Sequence, residues 1–215
     1  MKIGFFSDSY FPEIDGVTYT LKLWKERLEE RGHEVYIIYP DSDEYSPSEG
    51  EIPLKSFSNP FYSGYNIPVP VSFSKFPSDL DIIHCHTPLL GLTAYLYSLD
   101  KNVSTVYTHH TPVEEYFEQS IKSKTVSNLL SRIYVPVEEF LIQSFDKQIS
   151  NTDGGRRNIE MKKLPAGVDM DFFQPTESEY DFESPLIGYS GRISDEKNVD
   201  KVIEMSKDLD AELVV

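Results

Sequence analysis

The feature that most constrains this chain is an alternation of short apolar, β-rich runs with stretches of helical spacing. Strand-like runs fall at 2–7, 34–39, 81–86, 104–109, 147–150, 162–164 and 186–191. Several are apolar on both faces, as at Ile82-Ile83 and around Val103 and Val106, which suits strands covered by helices on both sides. Between the first two runs, Val17, Leu21, Trp24 and Leu28 recur at three- and four-residue spacing and predict one buried helix face over 17–30. Gly32 follows Arg31 where a left-handed cap would end that helix. The pattern predicts βαβ units: an α/β protein with a Rossmann-like, mostly parallel sheet and helices on both faces.

The rhythm lapses twice. Residues 40–80 hold many serines and half of the chain's 14 prolines, with a short strand at 66–71, and read as an irregular insertion on one side of the sheet. From 171 to 184 an acidic stretch with Gln174-Pro175 reads as a linker. A fresh unit then opens with a strand at 186–191, a helix at 198–209 and a strand at 211–215. The expected organisation is a first domain at 1–172, a linker at 173–184, and at 185–215 only the first βαβ of a truncated second domain.

Composition narrows the function. Acidic residues outnumber basic ones 36 to 20, for a net charge of −16. Binding to phosphate backbones rests on clustered Lys and Arg, so nucleic acid is not the expected partner. No apolar run reaches the roughly 18 residues a membrane span needs, and the opening Met1-Lys2-Ile3-Gly4 lacks the form of a signal peptide. The single cysteine, Cys85, fits a reducing cytoplasm.

Several motifs could carry chemistry. The loop from Asp8 to Val17 places Gly16 at a helix start, where backbone N–H groups and the helix dipole suit a phosphate. The same residues read equally well as a capping turn, with Asp15 as N-cap and Gly16 at N1. Histidines cluster at two strand ends, His84-Cys85-His86 and His109-His110, where an open parallel sheet faces its ligand crevice. They could bind or donate to a substrate, serve structure, or form a zinc site. Tyr10, His86 and Tyr116 are further candidates for the acceptor side of that crevice. Aspartate pairs such as Asp41/Asp43 and Asp169/Asp171 read as solvated turns rather than a metal–diphosphate site. After the last long strand, Arg192 and Lys197 could hold a phosphate, or could simply line an exposed loop beside Asp195 and Glu196. Finally, 119–134 carries Lys122, Lys124 and Arg132 without one acid, interleaved with apolar residues. That reads either as a core-facing helix or as a contact with an anionic membrane.

Taken together, these elements resemble the N-terminal half of a retaining nucleotide-sugar glycosyltransferase of the GT-B fold, family 4. The likeness rests on Asp8-Ser9-Tyr10-Phe11-Pro12 with Gly16-Val17, and on Asp81-Ile82-Ile83-His84-Cys85-His86. It rests also on Thr108-His109-His110-Thr111, on Pro165-Ala166-Gly167-Val168-Asp169, and on Gly191-Arg192 with Glu196-Lys197-Asn198. The nearest look is to diacylglycerol glucosyltransferases and phosphatidylinositol mannosyltransferases. The resemblance implies hexosyl transfer from a nucleotide-sugar to a lipid or saccharide acceptor, needing no metal or other cofactor. It implies His110, then His109, as catalytic residues, and Gly16, Val17, Arg192 and Lys197 as donor contacts. It implies a cytoplasmic protein of glycolipid synthesis, peripheral on the inner membrane face and inactive as this chain alone. One departure is Ala166, where the family often has Asn. Two other readings stand beside it: a metal-dependent hydrolase or deacetylase built on His84, His86, His109 and His110, and a non-catalytic sugar- or lipid-binding module.

Overall fold

Phe5 and Phe6 are neighbours in the first strand, yet both are buried, in two separate core clusters. Strand alternation sends them to opposite faces of a sheet that is covered on both sides. The computed structural model describes residues 1–59, 66–69, 73–110, 123–152, 159–177, 185–191, 193 and 197–215. The chain divides into two compact units, Met1–Val168 and Asp169–Val215.

In the first unit the sheet comprises β1 (Lys2–Phe6), β2 (Glu34–Pro40), β3 (Glu51–Leu54), β6 (Ile82–Cys85), β7 (Ser104–His109), β8 (Lys147–Ser150) and β9 (Lys162–Lys163). Its order is β3-β2-β1-β6-β7-β8-β9, and each neighbouring pair is parallel. All strand C-termini therefore share one edge. β4 (Ser56–Ser58) and β5 (Asn66–Pro68) form a separate antiparallel pair. Helix α1 (Gly16–Glu29) covers one face, with Leu21 buried against Phe5, Val35 and Ile37 and with Trp24 and Leu28 alongside. Helices α2 (Pro88–Lys101) and α3 (Lys124–Ser144) cover the other, joining Leu90, Ala94, Leu141 and Ile142 to Phe6, Ile38 and Ile83. Strand order reverses between β1 and β6. That reversal is the switch point at which open α/β sheets hold ligands.

The structure departs from the sequence reading in two places. Residues 51–54, expected inside an irregular insertion, form β3 and extend the sheet in parallel beside β2. No helix was expected at 88–101, yet α2 forms there, with Pro88 in its first turn and Asn102 closing it in the left-handed conformation. The second unit has β10 (Leu186–Gly188), α4 (Val199–Ser206) and β11 (Glu212–Val214), the two strands pairing in parallel. Each is shorter than its sequence run.

Among the described residues two glycines adopt positive φ, Gly32 at 83° and Gly50 at 78°. A methyl group on Gly32 would meet nothing within 4 Å, whereas on Gly50 it would lie 2.7 Å from the Val35 carbonyl oxygen. Gly32→Ala should therefore cost only the conformational strain, about 1–2 kcal/mol. Gly50→Ala should cost about twice that, because the turn leading into β3 must also shift. Thermal unfolding of the two variants checks the order; equal losses would mean that the Val35 contact relaxes freely.

Candidate functional site

The C-terminal ends of β1, β6 and β7 bring three groups to the switch point. The first is the start of α1. Asp15 caps it from an extended conformation, its Oδ1 accepting the Thr18 N–H at 2.8 Å while Oδ2 accepts the Ser9 hydroxyl. The capping turn is thus present as read. Among the described residues it leaves the N–H groups of Gly16 and Val17 without acceptors. A methyl group on Gly16 would meet no atom within 4 Å, so the ground before these two amides is open. Val17 turns its side chain to the core and offers only its backbone.

The second group is a row of imidazoles on the α1 face of the sheet. His84 and His86 share that face, as alternation requires, with ring centroids 4.1 Å apart. Phe5 and Trp24 pack against both rings. His84 Nε2 lies 2.7 Å from the Thr108 hydroxyl, and His86 Nδ1 lies 3.1 Å from His110 Nε2. Burial lowers the pKa of His84 to about 3 and that of His110 to about 4, and holds His86 well below the ordinary range. The row is therefore neutral at physiological pH. Asp15 acts in the opposite sense on His110, which ties the helix start electrostatically to the row.

The third is Asp8, which sequence reading placed in the loop without a role. Its carboxylate accepts the N–H groups of Leu89 and Leu90, each at 2.7 Å, and so caps α2 from the end of β1. Its own N–H donates to Thr87 Oγ1. Burial pushes its pKa up to about 6 despite the two amide donors. The signal for this role was Thr87-Pro88, a helix start whose first residue has no N–H of its own to give.

The remaining candidates lie elsewhere. His109 closes β7 buried, one residue out of phase with Thr108 and His110, so alternation turns it to the other face. Tyr10 is buried among Phe11, Tyr39 and Tyr45, and its hydroxyl donates to Glu51 Oε1 at 2.7 Å. Lys197 is exposed before α4 in the second unit, and Lys124 and Arg132 are exposed on α3. Tyr116, Lys122 and Arg192 lie outside the described residues. Among those described, no three His, Cys, Asp or Glu side chains converge as metal ligands. Of the four histidines, His84, His86 and His110 form the row, and His109 is turned to the other face.

Residues 14–169 match the sequence model of Glycosyltransferase Family 4. The chain is 26% identical over 233 residues to the alpha-monoglucosyldiacylglycerol synthase of Streptococcus pneumoniae, covering 94% of this chain and 51% of that protein. It is 34% identical over 143 residues to the protein of the same name from Acholeplasma laidlawii, covering 61% of this chain and 34% of that one. A GDP-mannose-dependent alpha-mannosyltransferase of Mycolicibacterium smegmatis is 22% identical over 239 residues, covering 100% of this chain and 62% of that protein. The chain therefore spans about half the length of its relatives. In structure it resembles a sucrose-phosphate synthase from Thermosynechococcus elongatus, at a TM-score of 0.70 and 17% identity over 99% of this chain and 61% of that one. It also resembles the catalytic domain of starch synthase IV from Arabidopsis thaliana, at a TM-score of 0.59 and 15% identity over 98% and 67%. Both share the GT-B fold.

The neutral row has a consequence for stability. Unfolded imidazoles take up protons near pH 6.5, while the fold delays this at His84, His86 and His110. Acid therefore favours the unfolded chain from about pH 6.5 down to about 4. Asp8 works the other way, because the fold protonates it near 6 and the unfolded chain only near 4. Three imidazoles outweigh one carboxylate, so the urea midpoint should fall between pH 7.5 and 5. In Asp8→Asn, which removes the opposing group, it should fall more steeply. A flat profile in both proteins would mean that the row is charged or open to water.

Proposed function

The chain belongs to glycosyltransferase family 4, and from that membership we propose that it forms the acceptor side of a retaining hexosyltransferase acting on a lipid such as diacylglycerol. In this reading the acceptor-side domain spans 1–172, a linker follows over 173–184, and the donor-side domain opens at 185. The observation that carries it is the meeting of the open α1 start with the His86–His110 pair at the switch point. Gly16 and Val17 N–H groups would hold a donor phosphate oxygen there. The acceptor hydroxyl oxygen bonds to the anomeric carbon as that carbon's bond to the diphosphate breaks on the same face, and the hydroxyl proton leaves with the departing diphosphate. Arg192 and Lys197 carry the leaving charge, with no metal in the reaction.

His110 would touch the transferred sugar. His86 Nε2 is buried and meets no partner among the described residues. The tautomer that leaves only a lone pair there places the His86 proton on Nδ1, donating to His110 Nε2. His110 then carries its own proton on Nδ1, as a neutral donor to a sugar hydroxyl. His109, buried on the other face, ranks behind it. The lipid acceptor follows the alpha-monoglucosyldiacylglycerol synthases among the relatives, and it would bring the protein to the inner face of the cell membrane as a peripheral, cytoplasmic enzyme.

A panel of nucleotide-sugars against diacylglycerol and soluble saccharides, run on the whole protein and scored by product mass, tests this reading. A hexosylated lipid supports it; a product on soluble acceptors alone removes the lipid. In the same protein, His110→Ala should lower kcat by about 10²- to 10³-fold, as for loss of one preorganised donor, with little change in Tm. A large fall in Tm with normal activity would make His110 structural. Arg192→Ala and Lys197→Ala should each lower kcat/KM by roughly 10- to 150-fold; unchanged kinetics in both would leave them an exposed loop.

A further inference from the structure

The imidazole row is a ladder of two matching rungs. In the β6–β7 register His84 stands opposite Val106, yet its Nε2 lies 2.7 Å from the hydroxyl of Thr108, two residues further along β7. Continued one step past Cys85 and Tyr107, the register sets His86 opposite Thr108. His86 Nδ1 again meets the residue two further along, His110 Nε2, at 3.1 Å. Both imidazoles therefore lean the same way, with their ring planes 31° apart. Phe5 stands nearly perpendicular to both rings, and Trp24 closes on both from α1. In a close-packed layer of this kind, one ring turns only if the next one moves.

Stability does not call for a histidine at 84. The core cluster on this face is built of aliphatic and aromatic side chains. A buried imidazole gives up its hydration for the Thr108 hydrogen bond, where an apolar side chain of like size would give up nothing. Thr108 is itself buried and gives up the hydration of its hydroxyl in the same way. What the pair supplies in return is orientation. Bonded to Thr108, the His84 ring keeps one plane and presents its face to His86. Without that bond it is free to spin about Cβ–Cγ, and the stack no longer holds His86 against His110. The bond made by one imidazole nitrogen decides where the other proton sits, so a loose His86 means an undecided His110.

We infer that Thr108 and His84 are positioning residues for hexosyl transfer: they hold His86 in the orientation that keeps the His110 proton on Nδ1. The inference rests on the reading of His110 as donor to the sugar, and it adds the two buried residues that fix its tautomer.

Two measurements test it. In the 215-residue chain labelled with nitrogen-15 at histidine, the imidazole nitrogen shifts should show His110 protonated on Nδ1 with Nε2 accepting. Thr108→Val keeps the shape and removes the hydroxyl, and it should turn His110 into a mixture of both tautomers; Thr108→Ser should keep the single one. In the whole protein, Thr108→Val should lower kcat by about 10-fold at unchanged KM, and Thr108→Ser should restore most of it. His84→Phe keeps the stack without the bond and should match Thr108→Val. The double variant should lose no more than either, because both remove the same bond. A wild-type His110 protonated on Nε2, or a tautomer that Thr108→Val and His84→Phe leave unchanged, overturns the inference. So does an unchanged kcat in these variants beside an impaired His110→Ala. If His110→Ala keeps full activity while the His110 tautomer still responds to Thr108→Val, the sugar-donor reading falls and what stands is the ladder's control of His110.

Discussion

One buried carboxylate organises the crevice. Asp8 leaves the end of β1 and accepts the first two free N–H groups of α2, the helix that follows β6, across the point where strand order reverses. Among the described residues the starts of α1 and α2 flank this switch point, and a helix start favours an anion. Asp8 occupies the one at α2 with a residue of the protein itself. At α1, Asp15 takes the Thr18 N–H, and among the described residues the amides of Gly16 and Val17 have no acceptor. The fold therefore decides between two equivalent positive ends by filling one. In the proposed reading a donor phosphate is thereby directed to α1, which stands beside the imidazole row.

That row could have supplied cations to a diphosphate, and it does not. Packing against Phe5 and Trp24 removes His84 and His86 from water, and desolvation lowers their pKa more than any neighbouring charge does. Neutral imidazoles can orient and donate, but they cannot balance a double negative charge. In the proposed reaction the balance must come from backbone amides and from Arg192 and Lys197. This division suits a leaving group that departs after each turnover, since a buried imidazolium would also hold the product.

Legibility in the sequence follows how local the cause is. The strands of the sheet and the buried side of α1 were readable because both obey short periods, and the Asp15 cap was readable because it acts within three residues. Pairing of His84 with His86 followed from alternation alone. β3 was hidden because its four residues lie among prolines and serines, and what makes them a strand is the free edge of β2. α2 was hidden for a different reason. Its sequence is apolar nearly all round, so no polar face marks a helical period, and its N-terminal cap comes from Asp8 far back in the chain. The contact between His86 and His110 joins two strand ends and needed the sheet order before it could be seen.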